Sequence, residues 1–137
     1  MNANGFVGDR QGDAISKQVI GCGFEVSNVL GAGFFEQVYE NALCQELDRI
    51  GLVFERQKNL HVRYKGQVVG HYIADVVIEN KLLVALKALS QLTKEHHAQV
   101  MNYLRATGLS VGLLLNFGTP RLGVRRVVWQ HDDRSII

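Results

Sequence analysis

The hydrophobic period changes twice along this chain, and those changes limit the folds open to it. Up to Gly51 the apolar residues recur at helical spacing. From Leu52 to Leu89 they do not: "LVFERQKNLHVRYKGQVVGHYIADVVIENKLLVALKAL" is rich in Val, Ile, Tyr and His and is punctuated at "NL", "KGQ" and "ENK". Branched and aromatic residues between turn signals mark strands joined by tight turns, and four are expected here. Upstream, Ile15, Val19, Ile20, Val26, Val29 and Leu30 outline one helix, which "LGAGF" ends. Gly21 and Gly23 each weaken it by about 1 kcal/mol relative to Ala. A second helix is expected over Phe34 to Ile50, with Phe35, Val38, Ala42, Leu43, Leu47 and Ile50 as its apolar stripe and Gly51 to stop it.

Downstream the helical period returns. Thr93 is placed to cap "KEHHAQVMNYLRATG", with Glu95 in its first turn and Gly108 past its end. "LSVGLLLNFG" is a nearly continuous apolar run bounded by glycine, which suits a strand covered on both faces. "GVRRVVW" reads as a last, more exposed strand. Helix, helix, strands, helix, strand, strand gives an α/β (α+β) layered domain with a mixed sheet flanked by helices. With 137 residues the chain supports one domain and a core that needs no staples. Its expected span is 13–130, between a flexible N-terminal tail at 1–12 and a frayed C-terminus at 131–137.

Composition excludes little. Apolar residues at 47%, charged residues at 20% and a net charge of +2 describe a soluble globular chain that permits nucleic-acid binding without requiring it. No apolar run is long enough to span a bilayer, and "MNANGFVGDRQGD" lacks the basic and apolar regions of a secretory signal. The expected compartment is cytoplasmic, with no membrane partner. Cys22 and Cys44 lack metal or redox spacing and read as buried thiols.

The "ENK" turn sets a register. If Asn80 centres a three-residue loop, Leu82 faces Ile78, Leu83 faces Val77 and Ala85 faces Asp75, with Lys87 on the Asp75 face. A two-residue loop would instead set Asp75 opposite Leu86. An aspartate and a lysine on one sheet face form an ion pair or half of a metal-hydrolysis site, in which Asp75 ligates a divalent ion and Lys87 stabilises charge or orients water. Gln99 and Tyr103 share a face of the third helix at i,i+4, and "GFFEQVY" puts Glu36 three residues before Tyr39. Each also has a plain structural reading: a solvated amide, a rim hydroxyl, an acid at a helix start. Glu79 reads as a solvated turn residue. His96 and His97, adjacent on a helix, do not pair on a metal. Arg121, Arg125 and Arg126 form the one basic cluster, either a solvated strand edge or a phosphate contact.

Together these segments resemble the GxxExxY protein family of the PD-(D/E)XK nuclease superfamily. "GFFEQVY" matches the naming motif, "GHYIADVVIENKLLVALKAL" the central hairpin and "HAQVMNYLRATGLSVGLLLNFG" the helix–strand segment; the pair Gln99 and Tyr103 is similar to the QxxxY motif of RecB-type nucleases. The resemblance runs from about Ile15 to Val128. It implies a restriction-endonuclease-like core and a Mg²⁺- or Mn²⁺-dependent phosphodiester hydrolase acting on nucleic acid, DNA or RNA. Asp75 and Glu36 would hold the metal, Lys87 would be the catalytic lysine, and Gln99 and Tyr103 would support them. The family has glutamate where this chain has Ala85. A methyl group neither holds metal nor orients water, so an impaired nuclease is expected, or alternatively a non-catalytic nucleic-acid- or protein-binding module on the same fold.

Overall fold

A computed structural model describes residues 7–129, with side chains from residue 14 onward. Three helices and five strands follow in the order α1 (Val7–Leu30), α2 (Glu36–Arg49), β1 (Phe54–Tyr64), β2 (Gln67–Ile78), β3 (Leu82–Lys87), α3 (Lys94–Thr107), β4 (Val111–Asn116) and β5 (Gly123–Val128). The strands form one mixed sheet in sequential order, antiparallel except where β3 runs parallel to β4. The α3 crossover supplies that parallel step.

The alternation of β3 and β4 divides the core. Val76, Ile78, Leu82, Val84, Leu86, Leu113 and Leu115 face one way, under α1 and α2. Leu83, Ala85 and Leu114 face the other way, under Val100, Tyr103 and Leu104 of α3. Leu113, Leu114 and Leu115 are fully buried, as a continuous apolar run between two helical layers requires. The α1 stripe of Ile15, Val19, Cys22 and Val26 is buried, and a Cβ on Gly23 would sit 3.0 Å from Leu122 Cδ2. That glycine costs helix propensity but lets α1 approach the sheet. At the end of α2, Gly51 (φ 79) donates to Asp48 and Leu52 donates to Leu47, the paired bonds of a Schellman stop.

Three expectations need correction. The 52–89 segment holds three strands, not four. Asn59 pairs with Ile73 and Leu60 with Tyr72, so "NL" lies inside β1; burial of Leu60 against the α3 cluster keeps it extended. Within β1, Gln57 has a positive φ of 49, and the register with β2 shifts between Val62 and Arg63. The first helix begins at Val7, so residues 7–12 of the expected tail are helical; residues 1–6 and 130–137, the frayed C-terminus included, lie outside the described residues. The basic cluster is split. Arg125 pairs with Leu114 and Arg126 with Leu113, which face opposite sides of the sheet, so the two arginines do as well. Cys22 and Cys44 are buried and unpaired, and burial pushes the Cys44 thiol up to about 11, which makes it inert at neutral pH. No described helix is long and apolar enough to cross a membrane.

Candidate active site

The loop before α2 explains the "GFFEQVY" spacing. Gly33 has φ 120, a conformation open to glycine. Tyr39 is fully buried and stacks on Phe117 at 4.8 Å; its hydroxyl donates to Gly31 O at 2.6 Å and accepts from Phe34 N at 3.1 Å. One side chain thereby fixes both ends of the loop and holds the α2 N-terminus, where Glu36 is the first helical residue. Tyr39→Phe keeps the stacking and loses both hydrogen bonds, one to a backbone N–H that is then left unpaired. We expect a loss of about 1–2 kcal/mol in urea unfolding.

The β2–β3 hairpin has the expected three-residue register. Val77 pairs with Leu83 and Ile78 with Leu82, around a turn in which Glu79 and Asn80 both have positive φ. The ladder stops at Val76–Val84, one pair short of Asp75–Ala85. On its other edge β2 skips a pair as well: Arg56 pairs with Val76 and Lys58 with Ala74, leaving left-handed Gln57 across from Asp75. Asp75 therefore lies where β2 parts from both neighbours. Its Oδ2 accepts the Leu86 N–H at 2.7 Å, taking the place of a ladder bond. β3 stays paired to β4 through Lys87–Asn116.

Residues from both helical layers meet at this fork. Glu40 is 3% exposed, accepts from Arg56 Nε at 3.0 Å and Nη2 at 2.8 Å, and accepts from Gln57 Nε2 at 2.8 Å. Glu36 lies one turn earlier on α2. Burial holds the Asp75 carboxyl above the usual carboxylate range, and the Glu40 charge adds to this; the Leu86 N–H, Lys87 and Gln57 oppose it. Glu36 is raised by desolvation and then by the Asp75 charge, with Lys87 opposing. Burial and then Asp75 raise Tyr103 on α3. Glu36, Asp75, Lys87 and Tyr103 thus share one electrostatic neighbourhood. Lys87 makes no ion pair within 4.0 Å of a described carboxylate, so the contact ion pair is not what is formed. Gln99, half-buried, makes no hydrogen bond to these residues among the described contacts. Glu79 is not free either: its carboxylate accepts the Val53 N–H at 2.6 Å.

α2 and α3 cover opposite faces of the sheet. Glu36 on α2 and Tyr103 on α3 both feel the Asp75 charge, whereas Gln99 has no described contact with Asp75. Ala85 is 2% exposed and packed in the α3 cluster. Sequence reasoning passed over Glu40 and Gln57. Glu40 could have been found as the next acid at i,i+4 from Glu36, whereas nothing marks Gln57 as the one strand residue with positive φ.

Because Asp75 is raised, it binds protons in the folded state at a pH where the unfolded chain has lost them. Its charge therefore destabilises the fold above the raised value, and this penalty fades as pH falls toward the ordinary aspartate range near about 3.9. Asp75→Asn keeps an acceptor for Leu86. It should melt about 3–4 °C above the native chain at pH 7, with the gap closing as pH is lowered through that window.

The match to known proteins agrees with this architecture. Residues 13–127 match the model of the PD-(D/E)XK nuclease superfamily, and the chain belongs to that superfamily. The crystal structure of SSO0001 superposes with a TM-score of 0.55 at 17% identity, over 73% of this chain and 52% of that one. An alkaline exonuclease, LHK-Exo from Laribacter hongkongensis, superposes with a TM-score of 0.42 at 12% identity, over 73% and 58%. The chain thus spans little more than half the length of either structure. Among curated proteins none matches.

No group of three His, Cys, Asp or Glu side chains among the described residues is arranged to hold a metal ion. The donors suit a hard cation held more loosely. The Asp75 charge raises the pKa of Glu36, a repulsion that a cation relieves, and Mg²⁺ is commonly held by one or two carboxylates plus waters and substrate phosphates. Glu40 is committed to Arg56 and Gln57.

Proposed function

We propose that this chain is a nucleic-acid phosphodiesterase scaffold of the GxxExxY type, with Glu36, Asp75, Lys87, Gln99 and Tyr103 as its site and with activity curtailed by Ala85. The observation that carries this reading is the fork: Asp75, tied to the Leu86 N–H, feels the Lys87 charge and raises Glu36 on α2. Superfamily membership supports the reaction class and a nucleic-acid substrate.

Asp75 and Glu36 are the residues that would hold Mg²⁺ or Mn²⁺, which when bound would polarise a phosphoryl oxygen and lower the pKa of water. Lys87 supplies a fixed positive charge beside the carboxylates, available to stabilise a phosphorane-like oxyanion. The Tyr103 hydroxyl, kept protonated by its surroundings, is a hydrogen-bond donor for a phosphate oxygen. Gln99 stands one helical turn before Tyr103 and extends that donor row. With Ala85 in place, β3 carries no acid two residues before Lys87 to orient water.

The second reading is a binding module without catalysis in the cytoplasm. It is favoured by the tight apolar packing of Ala85. A cleavage assay separates the two. Single-stranded and duplex DNA and RNA are incubated at high protein concentration with Mn²⁺. The scaffold reading predicts slow cleavage of at least one substrate, reduced by about 10²-fold or more in Lys87→Ala. Cleavage unaffected by Lys87→Ala would show contamination and support the binding module.

A further inference from the structure

Beside the fork, the β1–β2 hairpin and α3 enclose a groove that the chemistry above does not use. Its volume is about 550 Å³, and its walls include His61, Arg63, Tyr72, Asn102 and Arg105. A second cavity of about 260 Å³ continues along the same hairpin past Lys58 and Asn59. We infer that this groove holds a single nucleic-acid strand by its sugar–phosphate backbone and leads it to the fork. The inference rests on the nucleic-acid reading of the scaffold and adds the location and the strandedness of the ligand.

Charge is the first argument. Neither cavity is lined by an acid among the described residues. Arg49, Arg56 and Lys58 are each paired with a glutamate, whereas Arg63 and Arg105 make no ion pair with any described residue. The β1–β2 register shifts between Val62 and Arg63, so these consecutive residues both reach the groove instead of alternating across the sheet. Two guanidinium side chains lining one groove, neither ion-paired among the described residues, suit a phosphate backbone.

Shape and continuity are the second. The groove falls within the range of about 300–1,000 Å³ typical of ligand sites. It lies between the β1–β2 hairpin and α3. Tyr72 is 37% exposed, and its ring lies 5.4 Å from that of Tyr103, which feels the charges of Asp75 and Glu36. A positive groove interleaved with aromatic faces is how single strands are held without base readout. Asn102 lines the groove from α3, and Gln99 lies at i,i+3 from it on the same helix.

The test is fluorescence anisotropy with labelled oligothymidylate, oligouridylate and a duplex of the same length, in EDTA so that no strand is cut. The native chain should bind a single strand more tightly than the duplex, and whichever oligomer binds better identifies the sugar. Arg63→Ala with Arg105→Ala should weaken binding about tenfold or more and lower the slope of log affinity against log salt by about 1.4, for two phosphates at about 0.7 each. Tyr72→Ala should weaken it about tenfold with little change in slope. Arg125→Ala on β5 should change neither, and melting curves establish that each variant is folded. Native-like affinity and slope in the folded double variant overturn the groove assignment while leaving the nucleic-acid reading intact, as does duplex binding equal to single-strand binding. Failure of the native chain to bind any nucleic acid overturns the nucleic-acid reading and the groove with it.

Discussion

Ala85→Glu should convert this chain into a metal-dependent nuclease. Ala85 is 2% exposed, packed beside Ala74, Val100 and Tyr103. A glutamate there has to reach from beneath α3 toward the fork, where Asp75 already carries a penalised charge. Two acids so close disfavour joint ionisation, and Lys87 offsets only part of that cost. Without metal the variant should therefore lose about 2–3 kcal/mol of stability. Divalent metal should restore about 2.7 kcal/mol at a hundredfold excess over its dissociation constant. The native chain should gain much less. Cleavage in Mg²⁺ or Mn²⁺ should rise by about 10²-fold or more, since the new carboxylate can orient water beside the lysine. Lys87→Ala in the same background should return it to baseline. Equal melting shifts in both proteins, with no cleavage by either, would make Ala85 an ordinary core residue and favour the binding module.

The largest loss of stability should come from Gly118→Ala. A Cβ on Gly118 would collide with the backbone N and O of Leu89 and lie 2.6 Å from the carbonyl carbon of Ala88. None of these atoms is the end of a flexible side chain, so the backbone has to move. The contact it would break holds the exit of β3. Asn116 is 3% exposed; its Oδ1 accepts from Leu89 N at 2.9 Å and Gly118 N at 3.1 Å, and its Nδ2 donates to Leu89 O at 2.9 Å. Phe117 N donates to Lys87 O at 2.8 Å. The amide of Asn116 thus extends the β3–β4 ladder past Lys87 and fixes where that lysine leaves the strand. Losing this clamp should cost about 3–4 kcal/mol in urea unfolding and release Lys87 from the fork. Gly21→Ala is the contrast: a Cβ there meets nothing within 4 Å, so the change should stabilise α1 by about 0.5–1 kcal/mol.

What could be read from the sequence followed from local rules, and what could not came from tertiary contacts. Thr93 and Gly108 delimit α3 as expected, through a capping box that His96 completes and a left-handed C-cap, both set by nearby residues. The "ENK" loop fixed the β2–β3 register for the same reason. The extra strand boundary at Asn59 arose because an asparagine beside a hydrophobic run resembles a turn, while the cross-strand partner that keeps it extended lies far along the chain. Pleat alternation predicts Asp75 opposite Ala85; it cannot anticipate that the carboxylate would take the Leu86 N–H as the ladder ends. Likewise Arg63 and Arg105 are too distant in sequence to stand out as a pair, whereas Arg125 and Arg126 are adjacent in sequence and face apart.

Metal binding by the native chain tests the central claim most directly. Mn²⁺ is titrated into the native protein and into Asp75→Ala and Glu36→Ala, with bound ion followed by the loss of the free Mn²⁺ electron-paramagnetic-resonance signal. The account predicts one weak site in the native chain, in the millimolar range or tighter, abolished by Asp75→Ala and weakened about tenfold or more by Glu36→Ala. Binding that survives Asp75→Ala, or no binding by the native chain at millimolar Mn²⁺, would contradict it.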